Sequence, residues 1–401
     1  MVQLTEYKLG NLLEVSRGAS LAGENYATKG KYIRLTLGNF NYKEGGFKED
    51  TQKDDIYYIG DIDSRFILKK GDVLTPLTEQ AVGLLGASIR IPEDNKYIQS
   101  QDVALLTCNE QLLDKDFCYY MFPTDMVRKQ LSAAAQQTSI RHTSPEKIKD
   151  CKVFIPDIAE QKKIAQMLRT IENKINLNRR INQNLEALAR QLYDYWFVQF
   201  DFPDANGKPY KSNGGKMVWN EKLKREIPEG WEVKCIGDIL GNVKNTPRVM
   251  TDSYHHIGLF PIIDQSRDNY IAGFTDKKEA LLNQYPVVVF GDHSCVAKYV
   301  NFAFCRGADG TQIMFSKDER LPAEYLYFAV KDVKISEGYA RHYVFLKESL
   351  IVLPKIDIAT TYKNQTNLLF ESIREYGRQI MFLQRTREEL LPLLMNGQVS
   401  L

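Results

Sequence analysis

Two stretches of the chain place apolar residues at alternating spacings of three and four. The first runs through Leu168, Ile171, Ile175, Asn178, Asn182, Leu185, Ala189, Leu192 and Trp196. The second runs through Leu369, Ile373, Tyr376, Ile380, Leu383, Arg387, Leu390 and Leu394. A 3.5-residue period is the signature of a coiled-coil seam, because it keeps one apolar line facing a partner helix. Pro156 and Pro354 stand just ahead of the two stretches, and Gly397 stands just past the second, as helix start and stop chemistry requires. A helix of about 35 residues is about 50 Å long at 1.5 Å per residue. Asn178, Asn182 and Arg387 put polar groups into the seam, which lowers stability but restricts register.

The rest of the pattern repeats with these helices. Leu9-Gly10-Asn11-Leu12-Leu13 is echoed by Ile236-Gly237-Asp238-Ile239-Leu240, and Ile140-Arg141-His142 by Ala340-Arg341-His342. Short apolar strands closed by proline follow, Val153-Phe154-Ile155-Pro156 and Ile351-Val352-Leu353-Pro354. The same order occurring twice predicts globular unit, helix, globular unit, helix. Antiparallel pairing of the helices would put the globular units at opposite ends, related by a pseudo-two-fold axis. The predicted organisation is an α+β chain with a first α/β domain over 1–156, a helix over 157–197 and a connector over 198–230. A second domain over 231–354 and a helix over 355–401 complete it. The connector is rich in turn formers, among them Asn206-Gly207-Lys208-Pro209 and Ser212-Asn213-Gly214-Gly215.

Composition narrows what such a chain does. Lys and Arg number 53 against 51 Asp and Glu, a formal charge of +2, so charge alone does not hold it on nucleic acid. At 401 residues, 43% hydrophobic and 26% charged, it has the composition of an ordinary globular protein of two or more domains. No run approaches the roughly 18 apolar residues of a membrane span. Residues 1–10 carry charge where a signal peptide needs an apolar run, so a cytoplasmic location without membrane contact is expected. Six scattered cysteines without a CxxC pair suit free thiols in a reducing compartment.

Motifs for catalysis are missing. Gly214-Gly215-Lys216-Met217 lacks both the upstream glycine and the hydroxyl residue of a phosphate loop, and neither GxSxG nor HExxH occurs. The Asn/Asp-Pro-Pro-aromatic tetrad of amino-methyltransferases is absent. Asp157, Glu160 and Lys162 have the residue types of a nuclease site, but their crowding at a helix start fits helix-terminal charge better. His293, Cys295 and Cys305 lack the paired spacing of a zinc site.

Both globular units interleave basic and amide residues with glycines and aromatics. In the first these are Arg17, Lys29, Lys31, Arg34, Gln137, Ser139, Arg141 and His142. In the second they are Gln265, Arg267, Asp292, His293, Lys298, Arg306, Arg341 and His342. Arg and Lys suit guanine edges or phosphates, amides suit adenine, and carboxylates accept from cytosine. Glycine lets a loop backbone approach a groove. A self-contained methyltransferase or nuclease with a fused reader, and a coiled-coil scaffold whose heads bind proteins, remain open alternatives.

The chain resembles the specificity subunits of type I DNA restriction–modification systems. The resemblance rests on Ile155-Pro156-Asp157-Ile158-Ala159-Glu160-Gln161-Lys162-Lys163-Ile164-Ala165 opening the first helix, and on Leu390-Leu391-Pro392-Leu393-Leu394-Met395-Asn396-Gly397-Gln398-Val399 closing the second. Glu226-Ile227-Pro228-Glu229-Gly230-Trp231 looks like the usual opening of a second target-recognition domain. Phe290-Gly291-Asp292-His293 with Gly307-Ala308-Asp309-Gly310 is similar to one sequence class of such domains. The resemblance implies a non-catalytic subunit that chooses the double-stranded DNA sequence for a complex. Two modification subunits using S-adenosylmethionine would methylate adenine, and two ATP-driven restriction subunits, with magnesium, would translocate and cleave. No cofactor would belong to this chain. It further implies two heads reading a bipartite asymmetric target with half-sites about one turn apart, roughly 34–36 Å. Glu160, Gln161, Leu391, Leu394 and Met395 would contact partner subunits. The second helix opens with Asp357-Ile358-Ala359-Thr360-Thr361-Tyr362, without a Glu-Gln pair, so the two helix starts are not expected to engage partners identically.

Overall fold

The computed structural model describes every residue except 1, 42–44, 49–55, 80–83, 135–140, 268–269, 335–341 and 401, and the side chains of 134 and 141. The chain is α+β and divides into two compact units. One comprises Met1–Asn176 with Ile380–Leu401, the other Leu177–Gln379. The division falls inside both long helices, Ile158–Tyr193 and Ile356–Met395, so each unit owns part of each.

In the first unit, strand Thr5–Lys8 pairs antiparallel with Lys152–Ile155. Strand Val103–Cys108 sits between Leu13–Arg17 and Val73–Pro76, and the latter pairs with Ile89–Arg90. A second sheet places Tyr32–Arg34 between Tyr57–Tyr58 and a parallel neighbour, Tyr97–Ile98. The main core joins Leu9, Leu12, Phe117, Phe122 and Val153 to Ile164, Ala165 and Leu168 of the first long helix and to Leu394 and Met395 of the second. Here the start of one long helix packs with the end of the other.

The second unit repeats this plan. Glu232–Cys235 pairs antiparallel with Leu350–Leu353. Val287–Gly291 sits between Ala297–Val300 and Thr311–Met314, and Phe260–Ile263 runs parallel to Phe304–Arg306. Its core gathers Trp196, Phe197, Trp231, Tyr325, Phe328, Tyr362 and Phe370. Asn178, fully buried, donates through Nδ2 to Gln379 Oε1 at 3.2 Å, and Trp196 lies 5.7 Å from Tyr362. One index rises as the other falls, so the helices are antiparallel within this unit.

The repeated Leu/Ile-Gly pair has a steric cause. Leu9 N donates to Cys151 O and Ile236 N to Ser349 O, both at 2.9 Å. A Cβ on Gly10 would stand 3.0 Å from Lys149 Cβ, and one on Gly237 3.2 Å from Lys347 Cβ. Each glycine lets its one-turn helix press on the short helix that precedes the proline-closed strand. With Lys149 matching Lys347, Ser144 matches His342. The Arg-His echo is therefore two residues out of step. Arg141–His142 is a strand, whereas His342 opens the helix His342–Glu348.

The repeat is structural more than chemical. Arg90, opposite Val73, and Tyr299, opposite Val288, occupy equivalent places. Arg90 pairs with Asp116 at 2.9 Å and with Glu172 at 3.4 Å; Glu172 also accepts from Tyr119 and Tyr120 at 3.0 and 2.7 Å. Burial first, and then the Glu172 charge, push both phenols up. Tyr299 instead donates to Glu324 at 2.6 Å and packs 4.2 Å from Phe370, the residue matching Glu172.

Candidate nucleic-acid interface

In the second unit, parallel strands Phe260–Ile263 and Phe304–Arg306 emit loops 264–267 and 307–310 side by side, with Gly307 N donating to Ile263 O at 2.9 Å. The loop after Val287–Gly291 joins them, since Asp292 N donates to Gly310 O at 2.7 Å. Gln265 ties all three together. Its Nε2 donates to Asp309 O at 2.9 Å, and its Oε1 accepts from His293 N at 3.2 Å. Gly310, at φ +82°, lies against this amide, where a Cβ would fall 2.8 Å from both of its polar atoms.

Around that junction, Arg248 pairs with the exposed Asp309 at 2.8 Å. Tyr254 Oη accepts from Ala308 N at 3.0 Å and donates to Asp264 at 3.3 Å; burial pushes its phenol up to about 12. Exposed Arg267 donates to Ser294 O at 3.0 Å, and His293 is exposed at the rim. Asp292 Oδ1 accepts from Tyr343 N at 2.7 Å, closing the first turn of the helix that His342 opens. That position suits an anion, because the first helical N–H groups lack partners within the helix.

Five predicted residues, Gln265, Arg267, Asp292, His293 and His342, thus come together. Two others serve the interior. Lys298 is 6% exposed, 3.9 Å from Asp264 and 3.4 Å from Ser266 Oγ and Tyr270 O, so it supports the loops from beneath and does not face a groove. Burial pushes its ammonium down to about 8. Arg306 donates to Thr311 O at 2.8 Å and to Gln312 Oε1 at 3.2 Å, bracing the strand that follows.

The first unit has the equivalent place. Strands Tyr32–Arg34 and Tyr97–Ile98 are parallel, and Val103 opposes Pro76 as Thr311 opposes Gly291, so residues 99–102 match 307–310. Arg17 Nε donates to Gln101 O at 2.9 Å, and Arg34 lies 3.9 Å from Asp102 and 5.0 Å over the Tyr26 ring. Loop 99–102 is fixed by Ser100 Oγ donating to Leu35 O and Gln99 Nε2 to Ser16 O, each at 2.8 Å. Lys29 is exposed, as is Lys31, which sits 4.8 Å over Tyr32. His142 is exposed opposite Thr78. Gln137, Ser139 and Arg341 lie outside the described residues, as does the side chain of Arg141.

Three of the residues expected to touch partners, Gln161, Leu394 and Met395, are instead buried in the chain's own interior. Gln161 accepts from Asp114 N at 2.9 Å and donates to Leu112 O and Pro156 O at 3.0 and 2.9 Å. Leu394 and Met395 are each 1% exposed in the chain's own core, with Leu391 packed beside them. Glu160 is nearly buried and pairs with Lys163 at 3.1 Å. Gln161 of the Glu-Gln pair therefore fastens a helix start to its own head. Where the second helix lacks it, buried Ala359 fills the place of Gln161. Arg248, Tyr254, Tyr26 and Asp102 escaped the sequence reading because each is a single residue outside any motif, brought to its loop by tertiary contacts.

Residues 1–187 match the family model described as "Type I restriction modification DNA specificity domain". The chain is 23% identical over 309 residues to the type I restriction enzyme MjaIX specificity subunit of Methanocaldococcus jannaschii, covering 71% of this chain and 69% of that protein. It is 20% identical over 405 residues to the HindI specificity subunit of Haemophilus influenzae, covering 83% and 87%. Its fold is shared with the crystal structure of a type I restriction–modification S subunit from M. genitalium, with TM-score 0.58, 15% identity and coverage of 98% and 96%. Residues 1–187 are thus similar to that specificity domain, and the longer chain to type I specificity subunits.

Proposed function

We propose that the chain selects the DNA sequence for a type I restriction–modification complex, each globular head reading one half of a bipartite, asymmetric site. The observation that carries this reading is a loop cluster that recurs at the ends of equivalent strands in both units but holds different side chains. Arg17, Arg34 and Asp102 occupy one; Arg248, Arg267, His293 and Asp309 occupy the other. A shared scaffold carrying unlike loops suits two unlike half-sites, since phosphate contacts position and base-edge contacts specify.

The chain itself does no chemistry in this reading. Two modification subunits bind S-adenosylmethionine and flip and methylate adenine, and two restriction subunits use ATP and magnesium, all in the cytoplasm. Exposed Leu188 and Leu368 in one unit and Phe382 in the other supply apolar surface on the long helices for subunit docking. Among the described residues, no helix is long and apolar enough to cross a membrane.

Replacing residues 227–354 with those of a related subunit, followed by methylome sequencing of a host that also expresses the modification subunit, tests the reading. One half-site should change and the other stay. A change in both, or in neither, would refute it.

A further inference from the structure

We propose that Gln265 is a positioning residue that sets the specificity of the second head as a whole, by locking its three loops into one arrangement. The inference rests on the proposed function and names a determinant within it. Both ends of the Gln265 amide are engaged inside the protein: Nε2 on Asp309 O of one loop, Oε1 on His293 N of another. The amide keeps one further N–H and one further lone pair, but the two loop bonds fix where its plane points. Two glycines are shaped around the same side chain. A Cβ at Gly291 would stand 2.7 Å from Gln265 Cβ, and one at Gly310 2.8 Å from Nε2 and Oε1.

The groups left facing outward are carried by the loops that Gln265 joins: Arg267 on its own, His293 on the second and Asp309 on the third. The corresponding loops of the first head are tied by other residues, Ser100 to Leu35 and Gln99 to Ser16. The lock is therefore a property of the fold solved differently in each head. Moving three reading groups together alters several base positions at once. Losing one base contact alters one position.

The test is methylome sequencing of hosts expressing the full chain with its modification subunit, carrying Gln265→Ala or Gln265→Glu, beside the 227–354 exchange. Glutamate keeps an acceptor for His293 N but cannot donate to Asp309 O, so it isolates half of the lock. Gln265→Ala should lower discrimination about tenfold at two or more positions of one half-site, with the other half-site intact. Gln265→Glu should relax the same positions less. If the exchange moves a half-site while Gln265→Ala changes a single base position or none, the proposal is overturned and the proposed function stands. If the exchange moves nothing, both fall. Loss of all methylation in both variants also overturns the proposal, since that is failure of the fold and not of loop placement.

Discussion

Lys298 puts an ammonium into the interior of the second head, where burial lowers its proton affinity and Asp264 at 3.9 Å only partly restores it. Its folded value of about 8 lies below the ordinary 10.5. Between those values the unfolded chain holds the proton and the folded chain does not, so stability rises with pH across that window. Below about 8 both states are charged and the term is flat. Denaturant unfolding at a series of pH values should show this rise from about pH 8 to about 10.5, and Lys298→Met should remove it. An identical pH profile in the variant would show that Lys298 titrates normally. At the same scale, Gly18 has no room for a side chain, since a Cβ would lie 2.2 Å from Ser100 O. That glycine brings Arg17 against loop 99–102.

The long helices show why a heptad pattern reads well in sequence while individual positions do not. Seam residues Leu168, Ala189 and Leu394 are buried as the periodicity requires, yet they are covered by heads as well as by the opposite helix. Glu172 and Glu186 look like ordinary surface charges, but one takes two tyrosine hydroxyls and Arg90, and the other takes Tyr327 and Lys331 at 2.7 and 2.8 Å. A Cβ added to Gly377, inside the second helix, would meet nothing within 4 Å. Gly377→Ala should therefore stabilise the second unit by about 1 kcal/mol, the helix-propensity difference, seen as a raised denaturation midpoint. A lowered midpoint would mean that the helix needs glycine for a bend or a contact there.

For the whole molecule, the proposed function makes the helices a ruler as well as a docking surface. A seven-residue insertion in both keeps the seam nearly in phase, within about 20°, and adds about 10 Å of helix. The expected result is a gap longer by about three base pairs, at 3.4 Å each, with both half-sites unchanged. Methylome sequencing reads both quantities at once, and an unaltered gap would sink the ruler.

The sequence by itself determined the α+β class, the long helices with their proline starts, and the twofold plan, because periodicity and turn chemistry are local properties. It also brought out Gln265, Asp292 and His293, whose glycine-rich surroundings mark loops that approach closely. Tertiary structure decided their roles. Strand pairing set the repeat's true register, which moved the His142 and His342 echo out of step. Burial turned Lys298 and Gln161 from surface readers and docking groups into internal supports, and a Val249 N to Arg306 O bond brought Arg248 and Asp309 together from 61 positions apart. A side chain's role depends on what surrounds it in space, and spacing along the chain does not encode those neighbours.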